Sequence, residues 1–409
     1  IKLMDRLWGA DAVAKNASTT LFGTIFALAE SPLKEGLLFA GTDDGRIQIS
    51  EDGGGNWRAT DHFPGVPDTT FVSRVVPSQH DVNTVYATFN NHQSGDFTPY
   101  VLKSSDLGKT WTSIAGNLPA RGSAWVIAED NVDKNLLFVG TEFGVYVSRE
   151  GGTKWVRLKG GLPTIQVRDI AIQKRANDLV LATFGRGFYV LDDYSALRSM
   201  GPEVIAQPAR LFPSRPAYLY AESSPLGLPG SSFQGQGQFI AENPPYGALI
   251  TYYLKDGLKS RKVKRQEADA AAAKKNADTV YPPWDSLKAE DREEDPAVVV
   301  TVSDSSGRML RRFTAPAAAG IHRVAWDLRL QATDPVNGPP YKLDPEFPFS
   351  APPVAPFVIP GSYEIALWAR VDGAFTRLGE PTRVAVVAAD PPTVRANNRS
   401  VAIFMEQQR

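Results

Sequence analysis

Short apolar runs separated by turn residues fill the first half of the chain. Four runs rich in Val, Leu, Phe, Ala and Thr recur, and alternating stretches such as 145–147 and 188–190 follow them. The four runs cover residues 37–42, 85–88, 136–141 and 179–183. Runs of this composition, bounded by Gly, Asp and Asn, predict antiparallel β-hairpins.

A second pattern, which we name the Trp phrases, accompanies the hairpins at residues 50–57, 104–111 and 148–155. The Ser, acidic and Trp positions of these phrases are Ser50, Asp52 and Trp57, then Ser104, Asp106 and Trp111, then Ser148, Glu150 and Trp155. The three Trp residues are 54 and 44 residues apart, which is the length of a four-stranded propeller blade. A unit of this size must stack on copies of itself to bury its apolar faces. We therefore expect three blades and part of a fourth at residues 21–193, with all three Trp side chains buried between sheets.

The Trp phrases resemble the Asp-box of BNR-repeat proteins, a group that includes sialidases, xyloglucanase-type hydrolases, photosystem II assembly-factor-like proteins and sortilin-type receptors. The resemblance implies that the boxes are structural and lie away from any active site. Residues 22–32, 41–45 and 185–193 extend the resemblance to large bacterial sortilin-type proteins with two propeller halves and an Ig-like domain. Three or four blades are few for a closed propeller. We therefore expect an open flank at residues 21–57 and completion by the remaining blades of the same protein.

The second half of the chain predicts a β-sandwich. Strand-like runs surround a hairpin turn at residues 304–307, and a further strand begins at 360–363. These segments, with 320–327, resemble the flagellar-hook-type Ig-like domain. Residues 257–296 form an insertion of two predicted helices, one basic and one acidic, which we expect to neutralise each other.

These patterns predict an all-β chain: a partial Asp-box β-propeller followed by an Ig-like β-sandwich with a helical-hairpin insertion. The predicted segments are an N-terminal segment continuing from other blades (1–20), the propeller (21–198), a Pro-rich linker (199–222), the sandwich (223–390, insertion 257–296) and a helical tail (391–409).

Composition narrows the function classes. The chain has 44 basic and 45 acidic residues, so no strong field suggests nucleic acid as a partner. No apolar stretch reaches the roughly 20 residues of a membrane span. With no Cys, and four His without ligand spacing, the sequence indicates neither a metal site nor a cofactor. Because the start of the strand at 360–363 is typical of secreted Ig-like modules, we expect a periplasmic or secreted location.

Candidate chemistry is limited to carboxylates and arginines. A glycoside hydrolase needs two carboxylates that face each other across a cleft, and the candidates are Asp43, Asp44, Glu142 and Asp192. Asp43 and Asp44 have the composition of an ordinary turn, and Glu142 occupies the analogous place in a later repeat.

A sialidase needs an arginine cluster, for which the candidates are Arg74, Arg168 and Arg186. Arg74 and Arg168 begin predicted innermost strands, so we expect them on a polar axial face. Strand-initial arginines also commonly form structural ion pairs, and no sialidase Arg-Ile-Pro start is present.

Two function classes remain. The first is an extracytoplasmic binding or assembly scaffold in which propeller loops and the Ig-like domain engage a protein, peptide or glycan partner. The alternative is a glycoside hydrolase of the xyloglucanase or sialidase kind, with catalytic carboxylates partly in other blades. Because no committed acid pair is visible, the sequence favours the scaffold and leaves the question of enzymatic activity open.

Overall fold

The computed structural model describes residues 23–220, 241, 243–331 and 355–389, together with the backbone of two paired strands, β1 (Lys2–Leu3) and β2 (Arg6–Leu7). The chain divides into two compact units, Ile1–Arg198 and Ser199–Arg409. The rest of the predicted N-terminal segment and the predicted helical tail at 391–409 lie outside the described residues.

The first unit is built from four antiparallel sheets, which we name blades 1 to 4. Blade 1 contains β3 (Ile25–Glu30), β4 (Leu38–Thr42), β5 (Ile47–Ser50) and β6 (Arg58–Thr60). Blade 2 contains β7 (Phe71–Pro77), β8 (Val85–Asn90), β9 (Tyr100–Ser104) and β10 (Thr112–Ser113), with a 3-10 turn at His92–Ser94. Blade 3 contains β11 (Ala124–Glu129), β12 (Leu137–Thr141), β13 (Gly144–Ser148) and β14 (Val156–Arg157). Blade 4 contains β15 (Val167–Gln173), β16 (Asp178–Thr183) and β17 (Phe188–Leu191), and the short helix α1 (Ala196–Ser199) follows.

Each blade is a meander whose strands pair in chain order, and the first strands of successive blades lie side by side. Apolar residues of consecutive blades form three separate cores: blades 1 and 2 share Phe39 and Val75, and blades 3 and 4 share Phe138 and Ile170. A third core, between blades 2 and 3, includes Ile127. This arrangement is a partial β-propeller, which confirms the predicted fold class.

The expectation that all three Trp side chains are buried is wrong for Trp57. Trp111 and Trp155 are 5% and 3% exposed, whereas Trp57 is 42% exposed. Trp111 lies in the core with blade 1, and Trp155 lies in the core with blade 2. The phrases of blades 2 and 3 thus pack their Trp side chains against the preceding blade. Within the part of the chain that is described, no sheet packs in that position against blade 1.

The second unit consists of two sheets around one core. One sheet has the order β18 (Ala209–Leu211), β20 (Ala248–Leu254), β23 (Gly320–Trp326). The other has the order β19 (Ala217–Leu219), β26 (Thr382–Ala388), β24 (Gly361–Val371), β21 (Ala297–Ser303), β22 (Met309–Ala315), with β25 (Ala374–Arg377) paired to β24. Tyr252 and Trp326 of the first sheet share a core with Val300 and Ile365 of the second, so the unit is a β-sandwich.

The predicted linker at 199–222 is corrected by the structure. This segment contains helix α2 (Pro202–Ala206) and strands β18 and β19, which pair with β20 and β26. Its prolines do not interrupt the ladders, because Pro202 occupies the first turn of α2, and Pro208 and Pro216 precede their strands. The residues therefore belong to the second unit.

The charged insertion forms the two helices α3 (Arg261–Lys274) and α4 (Trp284–Arg292), neither of which has a buried residue. The Ser260 hydroxyl caps α3 by accepting from the Val263 amide. Arg265 donates to both carboxylate oxygens of Glu290, at 2.8 and 2.9 Å, so the basic helix pairs with the acidic one. Among the described helices, none has the length and apolar character needed to cross a membrane.

Candidate functional site

The first strand of every blade carries a β-bulge at the same repeat position. The register shifts between Ile25 and Ala27 in β3, and equivalent shifts occur in β7, β11 and β15. The bulged residues are Phe26, Ser73, Trp125 and Arg168. In each blade the first strand begins opposite the end of the second strand. The turn that follows the second strand therefore lies at the same end of the blade as the bulge. We name this end of the blades the bulge end. A β-bulge leaves one residue unpaired and redirects its side chain. Each blade therefore places one such side chain at the bulge end.

Arg168 is held between two aromatic rings at the bulge end. Its guanidinium carbon lies 3.6 Å from the ring centroid of Trp125 and 5.1 Å from that of Phe184. The Arg168 Nε donates to Gln166 Oε1 at 2.8 Å. Partial burial lowers the pKa of Arg168, although the nearby negative charge of Glu142 opposes the shift. An arginine remains charged under these conditions, so the arrangement presents a fixed cation.

Four buried polar atoms near this cation have no hydrogen-bond partner in the described part of the chain. They are Asn90 Nδ2, Ser123 Oγ, Trp125 Nε1 and Glu142 Oε2. The ring of His92 lies 5.4 Å from the Trp125 ring, and its backbone amide donates to Asn90 Oδ1 at 3.1 Å. Buried polar groups in folded proteins are nearly always satisfied. The unpaired donors and the unpaired acceptor at the bulge end therefore indicate a place that can receive a polar ligand.

Glu142 departs from the expectation drawn from its repeat position. In blade 1 the equivalent Asp43 accepts from the amides of Gly23 and Thr24 at 2.7 and 2.9 Å, which fixes a turn. The Glu142 amide donates to the Ser123 carbonyl at 3.1 Å, as the Asp43 amide does to Thr24. The Glu142 carboxylate makes no equivalent cap with any described residue, and it lies close enough to Arg168 for its negative charge to act on the pKa of Arg168.

A second polar surface lies along the first strands, in a groove of about 210 Å³. Arg74 of β7 forms an ion pair with Asp169 of β15, so the pair spans from blade 2 to blade 4 across β11. The groove is also lined by Glu129 and Lys174. Glu129 is buried and accepts from the hydroxyls of Ser78 and Tyr86 and from the Gln79 amide, which makes it a structural group.

The structure separates the three arginines singled out in the sequence. Arg74 lies in the groove, whereas the bulge directs Arg168 to the bulge end. Arg186 is exposed in the turn between β16 and β17. These three locations are separate, so a sialidase-like arginine cluster does not occur among the described residues.

The candidate carboxylates are likewise distributed over different blades. Asp43 caps a turn, Asp44 forms an ion pair with Arg46 at 3.6 Å, and Asp192 ends blade 4. No facing pair of these carboxylates occurs in the ranges that the structure describes, and neither does a cluster of His, Asp and Glu suited to a metal ion. No local sequence pattern singled out Asn90, Ser123 or Trp125. The signal that could have identified Trp125 is its repeat position, which it shares with Arg168.

No protein-family model matches the chain, and no curated protein matches it in sequence. Partial similarity to solved structures exists. An ancestral GH74 enzyme is 18% identical over 43% of this chain and 25% of its own length, with a TM-score of 0.35. The GH74 xyloglucanase from Xanthomonas campestris is 14% identical over 42% of this chain and 30% of its own, with a TM-score of 0.33. YCF48 bound to D1 peptide is 16% identical over 42% of this chain and 52% of its own, with a TM-score of 0.33. The chain thus spans between a quarter and about half of these proteins.

Proposed function

We propose that the chain is an extracytoplasmic binding or assembly scaffold, periplasmic or secreted, whose bulge end receives a protein or peptide partner. The observation that carries this proposal is the clamped cation of Arg168 beside four unpartnered buried polar atoms. Leaving such groups unpaired costs about 1–3 kcal/mol each. A partner that pairs them recovers this cost on binding.

The chemistry of the unpaired atoms fits a polypeptide. Asn90 Nδ2 and Trp125 Nε1 are donors that suit backbone carbonyls, and Glu142 Oε2 is an acceptor that suits a backbone amide. Arg168 is exposed and rigidly oriented, so it suits an acidic side chain or a terminal carboxylate of the partner. The exposed ring of Phe184 adds apolar contact next to the charge.

The test is binding to an array of synthetic peptides with free and amidated C-termini. We expect a subset to bind and Arg168→Ala to weaken that binding at least tenfold. Arg186→Ala is the matched control, because Arg186 is an exposed arginine of the same blade without the aromatic clamp. Arg168→Lys keeps the charge but loses the planar stacking, so it should show intermediate binding. Thermal unfolding establishes that wild type and Arg168→Ala are both folded. Equal binding by the two folded proteins contradicts the proposal.

The alternative function is a glycoside hydrolase, and the buried, unpaired Oε2 of Glu142 is the observation that favours it. A carboxylic acid at the scissile bond can serve as the general acid, but hydrolysis requires a second carboxylate across the cleft. Assay of the protein with xyloglucan and with sialosides tests this alternative. Turnover that Glu142→Gln abolishes without loss of folding would support it over the scaffold.

In this proposal the second unit is an Ig-like module that supplies a binding surface of its own. Its sandwich presents an open groove of about 390 Å³ lined by residues that include Met309, Trp368 and Phe375. Subcellular fractionation tests the proposed location, and recovery of the protein in the cytoplasm alone would contradict it.

A further inference from the structure

Two apolar side chains on the first strand of blade 1 are exposed at positions that the other blades bury. Ile25 and Leu28 are 57% and 70% exposed. Aligned on the bulges, they correspond to Val72 and Val75 of blade 2, Ala124 and Ile127 of blade 3, and Val167 and Ile170 of blade 4, all at most 8% exposed. The interior residues are covered by the preceding blade. The greater exposure of Ile25 and Leu28 therefore follows from the lack of a described blade that covers them, and not from a difference in the repeat.

Trp57 adds a third member to this surface. Its counterparts Trp111 and Trp155 are almost completely buried against the preceding blade. Trp111 contacts Phe63, from the loop after blade 1, with ring centroids 5.6 Å apart. Trp155 donates its Nε1 proton to the Ile114 carbonyl, in the loop after blade 2. Each Trp is thus covered by the segment that leaves the fourth strand of the blade before it.

Blade 4 shows the opposite surface. Phe188 and Val190 of β17 are 75% and 54% exposed. In the register of their sheets, Phe188 corresponds to Ile47 and Val145 of the third strands of blades 1 and 3, which are buried against the following blade. We name Ile25, Leu28 and Trp57 the leading flank, and Phe188 and Val190 the trailing flank.

We propose that the leading flank is a blade-docking surface covered by a further Trp-phrase blade of the same protein. The occupant is specified by repetition, because the same three positions in blades 2 and 3 already display what covers them. The further blade would pack apolar residues of its third strand against Leu28. An apolar side chain or a carbonyl in the loop after its fourth strand would contact Trp57. The trailing flank receives the first strand of another such blade. This inference rests on the blade interfaces and is independent of the proposed partner site.

Hydroxyl-radical footprinting of the tryptophans tests the inference. The protein as its cells produce it is compared with the isolated 409-residue chain at low concentration. In the native protein, we expect Trp57 to be oxidised within about twofold of the rate of Trp111, since both are then covered. In the isolated chain, Trp57 should react several-fold faster than Trp111, because their side-chain exposures differ greatly.

A pair of substitutions gives the control. Leu28→Asp places a charge on the leading flank and should raise Trp57 oxidation in the native protein to the rate of the isolated chain. Leu33→Asp changes another exposed leucine, in the loop after β3 and outside the flank, and should leave Trp57 protected. Fast oxidation of Trp57 in the native protein overturns the inference. So does protection that appears in the isolated chain as its concentration rises, together with a dimer mass, because the occupant is then a second copy.

Discussion

Individual acidic residues of the Trp phrases organise the turns that precede each fourth strand. Asp106 accepts from the Thr110 hydroxyl at 2.6 Å, from the Thr110 amide at 2.9 Å and from the Ser104 hydroxyl at 2.7 Å. These bonds, with that of Thr110 Oγ1 first, lower the pKa of Asp106 to about 2. Gly108 has a φ of +71°, and a Cβ there would lie 2.4 Å from Ile49 of blade 1. The phrase therefore fixes both the turn and the close approach of two blades.

Removing the Asp106 carboxylate should destabilise the first unit without acting on a ligand. Asp106→Ala should lower the free energy of unfolding by about 1–2 kcal/mol, because the turn amides lose the carboxylate acceptor and hydrogen-bond to water instead. Glu150→Ala is the matched control, because in blade 3 the Ser148 hydroxyl accepts from the amides and the Glu150 carboxylate accepts no hydrogen bond from a described residue. Denaturant unfolding of both variants measures the difference. Loss of partner binding at unchanged stability would show that the phrase is a site.

The tryptophans should differ in energetic weight according to their burial. Trp111→Ala should lower the free energy of unfolding by about 3–5 kcal/mol, because it leaves a cavity between blades 1 and 2. Trp57→Ala in the isolated chain should cost clearly less, since its ring retains much of its solvent exposure. Urea unfolding of the two variants provides the measurement, and equal losses would contradict the assignment of Trp57 to an uncovered flank.

At the scale of elements, the two insertion helices depend on each other more than on a core. Neither α3 nor α4 has a buried residue, so intrinsic propensity, the Ser260 cap and ion pairs, above all that of Arg265 with Glu290, stabilise them. Arg261 adds an ion pair with Asp372 of the sandwich. The pKa of Glu290 is lowered, first by the hydrogen bonds from Arg265, which agrees with this pairing.

Arg265→Ala should loosen the hairpin and leave the sandwich intact. We expect faster amide hydrogen exchange throughout α3 and α4, with unchanged exchange in β21 and β24. Lys264→Ala is the control, because it removes a cation of the same helix that forms no ion pair among the described residues. Equal exchange in the two variants would show that the ion pair does not couple the helices.

At the scale of the first unit, the segment after blade 4 is fastened to blade 3 by a buried carboxylate. Asp130 accepts from Arg198 Nη2 at 2.8 Å and from the amides of Val132 and Asp133, and the Tyr194 hydroxyl donates to it as well. Burial alone would raise the pKa of Asp130, but these bonds, first that of Arg198, bring it below its usual value. The network therefore stabilises the unit only while Asp130 is ionised.

The first unit should lose stability in acid. Asp52 and Asp106 have folded pKa values of about 2, below the ordinary 3.8, and that of Asp130 is also lowered. Because the folded pKa values lie below the unfolded ones, the contribution is complete above about pH 5 and is lost as pH falls towards about 2. Urea unfolding across this range measures the slope, which should be shallower in Asp106→Asn. A slope unaffected by that substitution would remove Asp106 from the acid response.

The sequence by itself determined the repeat, because blade length, β-hairpin composition and the Trp phrases are local properties. It also located elements of the sandwich: the predicted hairpin turn at 304–307 joins β21 to β22, and the strand predicted to begin at 360–363 is β24 (Gly361–Val371). The prediction of a linker at 199–222 failed, because prolines next to a strand and prolines in a linker have the same local sequence pattern.

The candidate site was decided by tertiary structure. Whether Arg168 enters the groove or the bulge end depends on a one-residue register shift in β15, which no local pattern specified. The stacking of Arg168 on Trp125 joins blades 3 and 4, and the unpaired state of Glu142 depends on neighbours distant in sequence. Burial of Trp57 likewise depends on what covers its blade, although its phrase reads like that of Trp111. Composition and periodicity fix which side chains a blade offers, whereas their partners follow only from how the blades meet.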